Sequence, residues 1–198
     1  MNEDFIRIWP NFVPADVCDE TIRSFEEILN DPVKGKTVRN NASQFYNSNL
    51  GRKDLSIFLE DPAYEKPKLV NLYLNFLQDC VTEYVTEFGQ LSGMPLSNYA
   101  NLKIQRTMPM GGYHQWHYEN GDGPSSYPRE LVWMIYLNDM PDGEGETEFL
   151  FQCRRITPTQ GTVVIWPAGM THVHRGLTVY SQPKYIATGW YYKTKDKD

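Results

Sequence analysis

At 198 residues, with 40% hydrophobic and 14% aromatic side chains, the chain is long enough to bury one core and too apolar for a disordered segment. A formal net charge of −6 gives no general attraction to nucleic-acid phosphates or anionic lipid, so neither is expected as a partner. Cys18, Cys80 and Cys153 are odd in number, widely spaced and without a C-x-x-C, which argues against a disulfide framework or zinc knuckle and predicts buried thiols.

Met1 to Pro10 carries Glu3 and Asp4 and no apolar stretch, and the longest apolar run, Leu131 to Leu137, is too short to span a bilayer. A cytoplasmic protein is expected. Phe5 to Trp9 reads as a short strand, and Asn11-Phe12-Val13-Pro14 leads into a helix that repeats Cys18, Ile22, Phe25 and Leu29 at three- and four-residue steps. Asp31-Pro32 and Lys34-Gly35 end that helix. The polar run Arg39 to Ser48 then reads as a loop beside a substrate entrance.

Past Asp61-Pro62 and Pro67, the segment Lys68 to Phe88 sets Leu69, Leu72, Tyr73, Phe76, Leu77, Cys80 and Tyr84 on one broad stripe, predicting a long amphipathic helix against a sheet. From Asn98 the period changes. Strands are predicted over Asn101–Thr107, His114–Glu119, Glu130–Asn138, Glu148–Cys153, Gly161–Trp166 and Tyr185–Tyr192, with turn residues between them. Helices first and short strands afterwards predict an α+β fold, helices packed on a jelly roll. One domain is expected over 1–198: mainly helical support in 1–97, a jelly-roll core in 98–192 and a polar tail in 193–198.

All four histidines lie in two short segments, Gly112 to Glu119 and Thr171 to His174. Two imidazoles and a carboxylate with coordination positions left open suit a non-haem Fe(II) site. On a strand, residues i and i+2 share a face, so His117-x-Glu119 brings two such ligands together. By itself this motif is weak. Downstream, positions 184, 186, 188 and 190 share a strand face, which aims Lys184, Thr188 and Trp190 into the interior. A lysine in a β-sandwich calls for an anion, because its ammonium loses hydration that only opposite charge and hydrogen bonds replace. The competing reading has Lys184 snorkel to the rim or pair with Glu146 or Glu148.

The series His117-x-Glu119, Arg129, Tyr136-Leu137-Asn138-Asp139, Gly145-Glu146-Thr147-Glu148-Phe149, Pro158, Gly161, His174, Val179, Lys184 and Trp190 resembles the catalytic domain of prolyl 4-hydroxylase-like Fe(II)- and 2-oxoglutarate-dependent dioxygenases, from about Leu102 to Tyr192. The resemblance implies a double-stranded β-helix (jelly-roll, cupin-like) core and an iron triad of His117, Glu119 and His174. It further implies that Lys184 anchors the distal carboxylate of 2-oxoglutarate. Tyr136 joins that lysine through its hydroxyl, Thr188 donates a hydrogen bond from the same face, and Trp190 closes the pocket. The implied reaction hydroxylates an unactivated C–H bond, most simply on a prolyl residue of a protein or peptide, with small molecules next. It uses Fe(II), 2-oxoglutarate and O₂, with ascorbate as a reductant, and releases succinate and CO₂. Arg129 and Glu146-Thr147 read as structural residues at turns and strand starts.

This chain departs from the family pattern at two places. Glu119 stands where the family has Asp, and the nearest other carboxylate, Asp122, has the wrong spacing. Thr107 stands where relatives carry a Tyr, and His114 takes another aromatic position, as a candidate lining residue of the substrate pocket. Two rival readings stay open. One is a cupin-like metal protein that does not use 2-oxoglutarate, in which Gly161 to His172 would make His172 the ligand; the other is a binding module of the same fold impaired by Glu119.

Overall fold

The computed structural model describes residues 4–45, 49–58, 67–91, 96–97, 102–120 and 129–193. Its first helix, α1 (Ala15–Asn30), starts directly after Pro14, whose fixed φ suits a helix entrance. It ends where the Asp31 carboxylate accepts the backbone N–H groups of Val33 and Lys34 (2.8 and 2.9 Å). The second, α2 (Pro67–Glu87), buries Tyr73, Leu77, Cys80 and Tyr84 of the predicted stripe and Val81 beside it, whereas Leu72 is exposed. Thr21 and Tyr73 join the two helices through their hydroxyls (2.5 Å). Among the described residues no helix is long and apolar enough to cross a membrane.

The strands are β1 (Arg7–Trp9), β2 (Arg39–Phe45), β3 (Asn49–Phe58), β4 (Leu96–Ser97), β5 (Lys103–Thr107), β6 (Gly112–His117), β7 (Arg129–Tyr136), β8 (Thr147–Phe149), β9 (Arg154–Ile156), β10 (Val163–Pro167), β11 (His174–Gly176) and β12 (Lys184–Lys193). All pairings are antiparallel, in the order β1-β10-β7-β12-β5-β3-β6-β11-β8-β9, with β2 on β3 and β4 on β12. This curled sheet is the expected double-stranded β-helix.

Period-two alternation divides the sheet into two faces. Leu131, Trp133 and Ile135 of β7 face the helices and pack with Phe25, Tyr73, Leu77 and Tyr84, while Val132 and Tyr136 face inward with Phe149, Val164, Trp166, Ile186 and Trp190. A hydrogen bond from the Tyr191 hydroxyl to the Leu77 carbonyl (2.8 Å) fastens α2 to the outer face. Each large apolar side chain fully removed from water contributes about 1.5–3 kcal/mol, so the helix-covered face holds the sheet in its curl.

Three expectations need correction. Arg39 to Phe45 is not a loop: it is β2, hairpinned to β3, and β3 lies inside the sheet between β5 and β6. The polar run conceals a strand because backbone pairing and Arg52–Asp54–Asn41 hydrogen bonds, not an apolar face, hold it. The predicted strand Glu148–Cys153 breaks after Phe149, since Cys153 takes a left-handed φ of 48° and turns the chain into β9. Cys153 is also exposed, unlike Cys18 and Cys80.

Candidate active site

Strand register makes the site. In the antiparallel pair β6–β11, His117 sits directly opposite His174, the position at which cross-strand side chains come closest. Their rings lie 4.4 Å apart between centroids. Glu119 follows the end of β6, where the backbone N–H groups of Glu119 and Asn120 both donate to the Ala168 carbonyl (3.0 Å each), turning the chain so that the carboxylate faces the two rings. Oε1 of Glu119 lies 3.4 Å from His117 Nε2 and 3.8 Å from His174 Nε2, and the three ligand atoms fall within 4.8 Å of one another.

Each imidazole is oriented from behind. His117 Nδ1 meets the Gln115 carbonyl at 2.8 Å and His174 Nδ1 meets the His172 carbonyl at 2.9 Å. A carbonyl only accepts, so each Nδ1 carries the proton and each Nε2 presents its lone pair to the centre. Tyr113 stacks on His117 (3.8 Å, 16°), and Trp166 and Phe149 brace His174. Burial, then the neighbouring His117, pushes His174 down to about 4, which keeps its ring neutral at neutral pH. For Glu119, burial acts upward, yet the hydrogen bond and charge that His117 offers when its ring carries both protons, with His174 and Lys103, outweigh it and hold the carboxyl well below the usual range. Two imidazole nitrogens and one carboxylate oxygen, open on one side, fit Fe(II).

The open side is a cleft that also takes in Lys184 and Trp190. Lys184, Ile186, Thr188 and Trp190 of β12 line one wall as alternation predicts, and the register sets Thr107, Gln105 and Lys103 of β5 beside the first three. Lys184 is buried at the end away from Trp190. Its ammonium donates to the Gly145 carbonyl and lies 5.3 Å from the Tyr136 ring centre, and burial pushes its pKa down to about 8. Gly145 has φ +61°, a conformation that favours glycine, and a Cβ there would lie 3.0 Å from Lys184 Cδ, so glycine leaves room for the lysine to pass. Glu148 pairs with Arg155 and Arg175, and neither it nor Glu146 meets the lysine.

The other predicted site residues separate. Thr188 lines the cleft but donates its hydroxyl to the Trp133 carbonyl (2.8 Å). The Tyr136 hydroxyl, expected to join Lys184 in holding the distal carboxylate, donates to Thr147 Oγ1 (2.7 Å). Trp190 sits at the metal end, its indole N–H on Glu119 Oε2 (3.1 Å). His114 does not line the cleft; its ring folds over Gly112. His172 is buried with both ring nitrogens engaged, by Thr171 Oγ1 (2.9 Å) and the Asp4 carbonyl (2.8 Å), so it has no free lone pair for a metal. Asp122 lies outside the described residues.

Residues 102–192 match the family model described as the 2OG-Fe(II) oxygenase superfamily. The matched stretch, 91 of the 198 residues, holds the strands that carry the site and is similar to members of that superfamily. As a 2OG-Fe(II) oxygenase the chain is a dioxygenase that works with Fe(II), 2-oxoglutarate and O₂. No curated protein matches by sequence. Among solved structures it is similar to the viral collagen prolyl hydroxylase of Paramecium bursaria Chlorella virus-1 in complex with 2OG (18% identity, 96% of this chain and 97% of that one, TM-score 0.69). It is also similar to a Trichoplax adhaerens prolyl hydroxylase in complex with a hypoxia-inducible-factor peptide (17%, 97% and 85%, 0.69) and to a Pseudomonas putida prolyl-4-hydroxylase (14%, 97% and 94%, 0.66). At these identities the likeness is one of fold.

Sequence reasoning missed Lys103, which lines the cleft beside Trp190 and Glu119, and two further residues of this oxygenase site. Tyr113 shares strand parity with His117, a signal available in the sequence. Arg129, read as structural, donates from Nη1 to both the carbonyl (3.0 Å) and Oε2 (3.1 Å) of Glu119, and no local pattern announces that.

Proposed function

We propose that this oxygenase hydroxylates a prolyl residue in a protein or peptide, with Fe(II) held by His117, Glu119 and His174 and the distal carboxylate of 2-oxoglutarate anchored by Lys184. The observation that carries the reading is the pairing, in one cleft, of a His–Glu–His cluster with a buried ammonium whose protein partner is a single backbone carbonyl. When bound, iron and cosubstrate supply the oxidising chemistry that splits an unactivated C–H bond. The protein's own part is positional: the Gln115 and His172 carbonyls fix the two imidazoles, Gly145 gives Lys184 its passage, and Trp166 and Phe149 exclude water behind His174. A prolyl substrate draws support from similarity to proteins described as prolyl hydroxylases, one of them in complex with a peptide.

The test is a panel of proline-containing peptides and free amino acids incubated with the Fe(II) protein, 2-oxoglutarate and O₂. Mass spectrometry should find one added oxygen on a prolyl residue of a peptide, matched by succinate. Oxygen added only to a free amino acid, or to a residue other than proline, overturns the substrate assignment.

A further inference from the structure

Glu119 is one methylene longer than the aspartate usual in this family, and a longer carboxylate can reach a metal through either oxygen or through both. Bidentate ligation would consume a coordination position that cosubstrate and O₂ require. Glu119 Oε2 is already occupied, however: it accepts one N–H from Arg129 (3.1 Å) and one from the Trp190 indole (3.1 Å). Only Oε1 is left facing the two Nε2 atoms. The two donors also lock each other, since the Arg129 guanidinium lies 3.7 Å from the Trp190 ring centre. Both stand on paired strands, Arg129 at the start of β7 and Trp190 on β12, so the clamp is carried by sheet. Arg129 holds the Glu119 carbonyl as well, fixing backbone and side chain of the ligand together.

We infer that Arg129 and Trp190 are positioning residues that turn Glu119 into a one-oxygen metal ligand and thereby allow glutamate to serve where the family has aspartate. The inference rests on His117, Glu119 and His174 being the metal ligands.

The probe is Co(II) alone, titrated anaerobically into the apoprotein and followed by its visible ligand-field spectrum, with circular dichroism confirming the fold of each variant. Arg129→Met and Trp190→Phe each remove one donor from Oε2, and each is expected to weaken Co(II) binding about tenfold or more, the usual effect of losing an outer-sphere partner. Free to rotate, Glu119 then binds through both oxygens, so the ligand-field band of the cobalt complex changes intensity. In a Glu119→Asp background the shorter carboxylate cannot span metal and clamp, and Arg129→Met then costs less than about threefold. Equal losses from Arg129→Met in the two backgrounds, or Co(II) affinity and spectrum unchanged in both single variants, overturn the clamp. Should Arg129→Met not fold, Trp190→Phe decides by the same criteria. His174→Ala separates the clamp from its premise: if that variant keeps Co(II) affinity the triad reading fails, and if it loses affinity while the clamp variants do not, only the clamp fails.

Discussion

The two ends of the cleft solve opposite electrostatic problems. At the metal end a carboxylate is oversupplied: Glu119 receives Arg129 and the Trp190 indole and feels the Lys103 ammonium nearby, and its charge is settled before any ligand arrives. At the far end an ammonium is undersupplied, with the Gly145 carbonyl accepting from Lys184 and burial driving its pKa down. The first arrangement buys geometry; the second keeps a charge in deficit, so that a ligand carboxylate gains more by entering than water does. Replacing a cation by methionine should therefore have opposite effects on the apoprotein at the two ends.

Lys184→Met offers the largest effect. Removing the anchor should raise the KM for 2-oxoglutarate by about thirtyfold or more, the effect of truncating one partner of a buried charge pair at roughly 2–5 kcal/mol. The same change should make the apoprotein more stable, by about 1–3 kcal/mol in chemical denaturation at neutral pH, because a buried ammonium held below its ordinary pKa opposes folding. Arg129→Met should destabilise the apoprotein by about 1–3 kcal/mol, since it strands the Glu119 carboxylate without its cation. Two losses of stability, or two gains, would break the contrast.

A pH titration sharpens it. Lys184 has a folded pKa of about 8 against an ordinary value of 10.5, so the folded state gives up its proton first. The unfolded state then binds more protons between these values, and wild-type apoprotein stability should rise as pH climbs from about 8 towards 10.5, a slope that Lys184→Met reduces but does not abolish, because the buried Lys103 is also pushed down to about 8. Cosubstrate binding runs the other way. Only the ammonium attracts a carboxylate, so the anaerobic Kd for 2-oxoglutarate should stay level below about pH 8 and weaken about tenfold per unit above it. A Kd that is flat to pH 10 would show that Lys184 is not the anchor.

The same contrast marks what could be read from the sequence. The Lys184 end is local: one strand with period two carries Lys184, Ile186, Thr188 and Trp190, and all four line the cleft. Both helices were legible for a like reason, their stripes being written at helical spacing. At the metal end the ligand residues could be nominated, but what places them is tertiary. The register that sets His117 against His174, the Ala168 carbonyl that turns Glu119 and the reach of Arg129 to Oε2 join segments with no sequence periodicity in common. Strand β2 was hidden for a related cause, since its pairing with β3 and the hydrogen bond of Asn41 to Asp54 join segments that share no periodicity.

The smallest expected effect tests how alone Lys184 is. The Tyr136 hydroxyl donates to Thr147 Oγ1 and turns its ring, not its oxygen, toward the ammonium. Tyr136→Phe keeps that ring, so the KM for 2-oxoglutarate should change by less than about threefold, while stability falls by about 1 kcal/mol for the lost buried hydrogen bond. A KM raised tenfold would mean that the hydroxyl leaves Thr147 for the incoming carboxylate. The far end would then hold its ligand with two groups, and its readiness would depend on a side-chain switch rather than on an uncompensated charge.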